Sequence, residues 1–237
     1  MDGHMLEIYY IRYLREIRGV KNSTVKHYQD ALKFISNFLN ARGKLQSSVF
    51  AVRDIDTLSL LRDYLYSDTE FVALDKRGHQ MYSAGFNNYY RFASGVEFSK
   101  INKQIELMDV AMPVGKQMEV NSKVWKRSSI LKNQVIESAG YQCEVDLNHF
   151  TFTAKSTRHP YMEGHHVLPM KYQDKFSSSL DVYANIVCLC PICHRLLHYG
   201  VTSEKQYALN KIYTDRVQRL AASGIKISRS DFESLLS

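Results

Sequence analysis

Three of the four cysteines in this chain, Cys188, Cys190 and Cys193, fall within six positions in the tract NIVCLCPICHRLLH. Cys190 and Cys193 form a C-x-x-C pair, the spacing at which a tight turn aims two thiolates at one tetrahedral zinc ion. The pair constrains the fold strongly, because two further ligands must be brought to it. Cys143, just after Gly140, is the obvious third, and Asp146 or His149 lies within reach as the fourth. A redox reading of Cys-Pro-Ile-Cys would need a βαβ pattern, and none surrounds it. Cys188 sits on an apolar, strand-like run where a buried spectator thiol is expected. Clustered cysteines in a reducing compartment favour metal over disulfide. The chain reads as cytoplasmic, with no apolar run near the roughly 20 residues of a membrane span and no signal peptide. The opening Met1–His4 resembles a vector-derived leader, so Met5 is read as the native start and His4 is excluded from any site.

A second tract, EGHHVLPM, places His165 and His166 side by side at what reads as a strand end before Pro169. Neighbours on a strand point to opposite faces, so two core histidines would need two separate polar pockets. At least one of them is expected to have chemistry to do. His27, His79 and His159 lie in helical or loop contexts that suit ordinary exposed or capped histidines.

From Leu6 to about Phe98 the apolar pattern is helical almost throughout. Leu6, Tyr9, Tyr10, Tyr13, Leu14 and Ile17 recur at helical spacing. Ser23 or Thr24 is expected to cap a second helix carrying Val25, Tyr28, Leu32, Ile35, Phe38 and Leu39, and a third begins at Asp56 or Thr57. Asp75-Lys76-Arg77-Gly78 reads as a turn, followed by a last helix through Met81, Gly85, Tyr89 and Phe92 to Gly95.

Residues 5–98 therefore read as an N-terminal helical bundle. Residues 99–123 lose the periodicity, contain Pro113 and Gly115, carry Lys100, Lys103, Lys116 and Lys123, and read as a linker. Residues 124–237 form a second domain, opening with a helix through Trp125, Ile130, Leu131, Val135 and Ile136 that Gly140 terminates. The fold class is α+β, predominantly helical. Lys and Arg number 31 against 24 Asp and Glu, a net charge of +7 that favours polyanionic partners. Arg12, Arg15, Arg18, Lys21, Lys26, Lys33, Arg42, Lys44, Arg77 and Arg91 could track phosphates, whereas the tyrosines at helical spacing read as core.

The paired histidines before a proline, then Asn185, then C-x-x-C-H together resemble the HNH endonuclease family, most closely its zinc-containing branch that includes McrA-like restriction nucleases. The matching region runs from about Tyr141 to Tyr199. The resemblance implies a C-terminal zinc-braced ββα-metal unit, with His166 as general base and His165 and His194 as ligands of a catalytic divalent ion. It further implies that Asn185 braces the loop between the strands and orients the base, and that Cys143, Cys190 and Cys193 hold structural zinc. Two departures stand out. Asp146 occupies the place of a second cysteine in many relatives, and the tract CEVDLNHFTF resembles a subgroup in which a histidine such as His149 completes a Cys3His site. His165 stands where many relatives have aspartate, which leaves Mg²⁺, Mn²⁺, Co²⁺ and Ni²⁺ open as the catalytic ion. The first hundred residues, with STVKHYQDALKFISNFL and FNNYYRFASG, are similar in pattern to the helical core-binding domains that clamp DNA in tyrosine recombinases.

The implied chemistry suits the residue types. Phosphodiester hydrolysis needs an activated water opposite the leaving 3′ oxygen and a cation to neutralise charge building there. Neutral imidazole can take the water's proton near neutral pH. Two short strands and a helix bury too little apolar surface to hold their shape, so structural zinc supplies the missing folding free energy. Arg195, beside His194, could hold the scissile phosphate or make a surface salt bridge. His198, one helical turn after His194, is expected behind the ligands as a supporting partner, with a third-ligand role as the alternative. The expected function is a metal-dependent restriction-type endonuclease on double-stranded DNA, acting as a homodimer or twice, since one site cuts one strand. A non-catalytic zinc-dependent DNA-binding module and a homing or phage nuclease are the alternatives.

Overall fold

A computed structural model of the protein describes residues 5–96, 98, 102–114, 118–120, 122–125 and 127–236. Met1–His4, Lys100, Gly115 and Lys116, named above, lie outside them. Contacts group the chain into two units, Met1–Glu97 and Phe98–Ser237.

The first unit is helical: α1 (Met5–Arg12) continued by a π-helical turn (Tyr13–Ile17), α2 (Asn22–Ala41), α3 (Ile55–Ser67), α4 (Thr69–Arg77) and α5 (Met81–Ser94). Tyr9, Tyr10, Tyr13 and Tyr89 are fully buried with Phe86 and Phe92, so the tyrosine stripe is core. Tyr10 donates to Asn88 Oδ1 at 2.7 Å, which satisfies its hydroxyl there. Ser23 and Thr24 do not cap α2. The helix starts at Asn22 after an extended Lys21, whose carbonyl already accepts from Val25 N, so both hydroxyl residues lie inside the first turn. Helix α3 starts one residue earlier than expected because Asp54 caps it, accepting from Thr57 N at 2.8 Å.

Helix α4 was absent from the sequence expectation, which read Asp75-Lys76-Arg77-Gly78 as the turn. Asp68 caps α4, and the buried Asp75 carboxylate accepts from Ser83 N at 2.9 Å. The reversal falls later, at His79 (φ 51°) and Gln80 (φ 62°). Arg42 is committed inside this unit: it pairs with Asp68 and Glu70 and lies over the Phe38 ring at 3.4 Å. Arg15, Lys21, Lys26, Lys33 and Arg77 are solvent-exposed.

The second unit begins in the segment expected as a linker. That segment carries a 3₁₀ helix (Asn102–Met108) and a two-stranded ribbon of β1 (Met118–Val120) and β2 (Ser122–Val124). Ile105, Met108 and Met112 are buried, and the buried Asp109 carboxylate accepts from Arg219 Nε at 2.5 Å. Apolar anchors and a buried ion pair tie this stretch into the unit, features that a loss of helical periodicity does not reveal. Helix α6 (Ser129–Ser138) follows; Ser128 caps it, which leaves Trp125 outside. Gly140, at φ 61°, stands just past its end as expected.

Strands β3 (Glu163–His166) and β4 (Ile186–Leu189) form an antiparallel pair with His165 opposite Val187 and His166 opposite Ile186. Helix α7 (Pro191–Tyr199) leaves β4 at once and packs against both strands, and α8 (Thr202–Ala222) and α9 (Arg229–Leu236) complete the unit. Buried Arg216 of α8 donates to Glu144 Oε2 at 2.6 Å, and the same oxygen accepts from Cys188 N at 2.9 Å. Glu144 N returns a bond to Cys188 O, so the Cys143–Glu144 loop is pinned to the edge of β4. The described residues are thus mostly helical with two small two-stranded sheets. No described helix is long and apolar enough to cross a membrane.

Candidate functional site

The β4–α7 junction supplies donors to two separate groups. Cys190 is the residue before α7, and its Sγ accepts from Cys193 N at 3.4 Å. Pro191 opens the helix, where its missing N–H costs nothing. The tight turn therefore presents Cys190 and Cys193 together. One position further, His194 and His198 share the next face at i and i+4.

Strand β3, paired with β4 at the same junction, packs closely on α6 because Gly164 has no side chain. A Cβ there would lie 2.9 Å from Lys132 Cβ of α6, closer than real Cβ contacts allow.

Cys143, His149, Cys190 and Cys193 bring their donor atoms within 4.8 Å of one another, a Cys3His group that could bind zinc. All three cysteines are buried. His149 Nδ1 lies 3.3 Å from Cys193 Sγ and 3.6 Å from Cys190 Sγ. Asp146 is outside the group; its carboxylate sits 3.7 Å from the other ring nitrogen of His149. A hydrogen bond from Cys193 holds the Cys143 thiol down at about 4, and the same shared proton pushes Cys193 up. Thiolates crowded this closely suit a soft divalent cation that replaces the protons between them. Cys188 lies outside the group, and burial raises its thiol, which keeps it protonated.

The second group is His165, His194 and His198, whose nitrogens also converge within 4.8 Å. Each pair of rings is 4.9 Å apart, and the Nε2 atoms of His194 and His198 are 3.2 Å apart. His198 therefore lies with His165 and His194 in a group that could hold a metal ion, the alternative given beside its supporting role, because one helical turn brings its ring next to that of His194. Glu163 Oε2 bonds His194 Nδ1, and Glu163 Oε1 accepts from Tyr161 at 3.1 Å. A carboxylate only accepts, so this bond puts the hydrogen on Nδ1 and the lone pair on Nε2, toward the other histidines. Burial raises the Glu163 carboxyl, but the bonds from His194 and Tyr161 outweigh it and keep the group below its usual range. Burial, then His194 and His198, push His165 down to about 3, and burial also lowers His198. Both imidazoles are held neutral, the form that offers a lone pair to a metal.

His166 points elsewhere. Its Nε2 lies 2.8 Å from Asp181 Oδ1, and both residues are buried. Asn185 is fully buried and spans the loop between the strands: Oδ1 accepts from Leu168 N at 2.7 Å, while Nδ2 donates to Leu168 O at 2.9 Å and Leu180 O at 2.8 Å. Arg195 is exposed beside His194, its guanidinium 5.9 Å from the centre of the Tyr199 ring. His159 is exposed and stacks on Tyr141 at 4.2 Å.

Four residues at these groups escaped the sequence reading: Glu163, Asp181, Tyr161 and Lys132. Glu163 had a signal, since it lies two residues before His165 and so on the same strand face. Asp181, Tyr161 and Lys132 had none.

No family model matches the chain. The type IV methyl-directed restriction enzyme EcoKMcrA of Escherichia coli (strain K12) is 29% identical to it over 103 residues, 44% of this chain and 35% of that protein. The chain is thus similar, over part of its length, to a restriction enzyme, of which the match spans little more than a third.

Proposed function

We propose that the chain is a metal-dependent DNA endonuclease of restriction type, hydrolysing phosphodiester bonds in double-stranded DNA through an HNH-type ββα-metal unit. The observation that carries this reading is the divergence of two adjacent histidines, His165 into an open three-imidazole group and His166 into a bond with a buried carboxylate. Partial similarity to a restriction enzyme supports it.

In this reading His165, His194 and His198 hold a divalent ion. That ion supplies charge neutralisation at the leaving 3′ oxygen when bound. Three imidazoles favour Mn²⁺, Co²⁺ or Ni²⁺ over Mg²⁺, which prefers oxygen donors. Glu163 and Tyr161 keep His194 in its donor orientation. His166 takes the proton of the attacking water, and Asn185 fixes the loop that carries it. Arg195 is exposed beside His194, as a side chain that receives the scissile phosphate must be. The Cys3His group holds structural zinc and supplies folding free energy to a unit whose two strands are only four residues each. The helical unit grips duplex DNA through exposed cations such as Lys21, Lys26 and Lys33. The protein acts in the cytoplasm, and cutting both strands needs a homodimer or two successive encounters.

His166→Ala tests the reading. It keeps zinc, lowers the melting temperature because the buried Asp181 carboxylate loses its partner, and loses nicking of plasmid DNA by roughly 10²- to 10⁴-fold, the share that general-base help contributes. Undiminished nicking would refute the base assignment. DNA binding without nicking by the wild type, in Mg²⁺, Mn²⁺, Co²⁺ and Ni²⁺ alike, would make it a non-catalytic module.

A further inference from the structure

Asp181 is only 1% exposed and makes bonds with both oxygens. Oδ1 meets His166 Nε2 at 2.8 Å, and Oδ2 accepts from Ser128 N, at the start of α6, at 2.8 Å. Its own backbone N donates to Ser179 Oγ at 3.1 Å. The carboxylate is thereby fixed from two sides before it reaches the imidazole. Since it can only accept, the hydrogen of His166 sits on Nε2 and the lone pair on Nδ1.

We propose that Asp181 is a positioning residue for the reaction: it selects the Nε2–H tautomer of His166 and holds the ring so that Nδ1 is the atom that takes the proton. The proposal rests on the endonuclease reading above. In the step it serves, the water oxygen bonds to phosphorus as the bond from phosphorus to the 3′ oxygen breaks. The water's proton passes to Nδ1, and the leaving 3′ oxygen takes a proton from solvent. The imidazolium that forms keeps its Nε2–H on Asp181, whose negative charge stabilises it. His166 and Asp181 lie 15 positions apart and are joined only by the fold. Asn185 makes its three bonds to backbone atoms of Leu168 and Leu180, so it shapes the loop, whereas the ring of His166 is held by Asp181.

A purely structural role for Asp181, as an anchor for the start of α6, is the competing account, and Asp181→Asn separates the two. The amide oxygen still accepts from Ser128 N, so the anchor survives. Its NH₂ then faces Nε2, and a donor there is matched only by a lone pair, which moves the hydrogen to Nδ1 and removes the proton acceptor.

The test uses the full zinc-loaded chain labelled with ¹⁵N histidine. Long-range ¹H–¹⁵N correlations report the His166 tautomer without any reaction, and zinc content, melting temperature and plasmid nicking are measured on the same samples. We expect Nε2–H in the wild type. In Asp181→Asn we expect Nδ1–H, zinc unchanged, melting within a few degrees, and nicking down roughly 10²- to 10⁴-fold. An Nδ1–H tautomer in the wild type overturns the proposal by itself, even if the variant fails to fold. An inverted tautomer with undiminished nicking, or an unchanged tautomer in the variant, overturns it too. A wild type that never nicks DNA but shows the expected tautomers would sink the endonuclease reading while leaving the tautomer assignment standing.

Discussion

The Cys3His group and the three-histidine group draw on neighbouring residues of one short segment, Cys190 and Cys193 for the first, His194 and His198 for the second, yet they differ in donor type and burial. The first has four donors, three of them buried thiols, the number a tetrahedral zinc site needs. The second has three imidazoles, one buried, one half-buried and one exposed, so it opens to solvent on the His198 side. Closed, soft sites hold zinc as structure; sites with an open position leave room for water or substrate. One helix start thus serves both, because the turn that positions two thiolates also fixes the angle at which the next helical turn presents its imidazoles.

Several substitutions should pull the two groups apart. The largest effect is expected from Cys193→Ser, which loses zinc and the cooperative unfolding of the second unit, since binding free energy of about 10–16 kcal/mol at such sites is folding free energy. Metal analysis with a circular-dichroism melt measures it, and a full zinc complement with an unchanged melt would break the contrast. Glu163→Gln should act on the other group alone, weakening divalent-ion binding roughly 10- to 100-fold while zinc stays put. Calorimetry on the zinc-loaded protein reads the first part and metal analysis the second. The smallest effect belongs to Asp146→Ala, which removes only a half-exposed carboxylate 3.7 Å behind His149. Zinc should bind up to about tenfold more weakly there. His149→Ala should release zinc far more readily, and the reverse order of these two would make Asp146 the ligand.

How much of this could be read in advance depended on whether the signal was local. C-x-x-C-H, the adjacent histidines and the amphipathic helices are short-range patterns, and each leads directly to a turn, a strand end or a buried stripe. His198 was visible as a partner of His194, but its rank as donor depended on the distance to His165, which lies on another element. Asp181 reaches His166 across a loop that Asn185 closes, and Arg216 reaches Glu144 from a helix far along the chain. Helix α4 was hidden because Asp75 resembles a turn residue; buried and bonded to Ser83 N, it belongs to the helix and sets its junction with α5. The stretch 99–123 resembled a linker because its anchors, Ile105, Met108 and Met112, are spaced for irregular packing.

Dialysing the protein against a mild chelator, then assaying both metal content and plasmid nicking, separates a permanent zinc site from an exchangeable, catalytic one. The account predicts one zinc per chain retained, nicking lost, and nicking restored by added Mn²⁺, Co²⁺ or Ni²⁺ without any change in zinc. Zinc removed together with activity, or zinc retained with no nicking under any added ion, would contradict it.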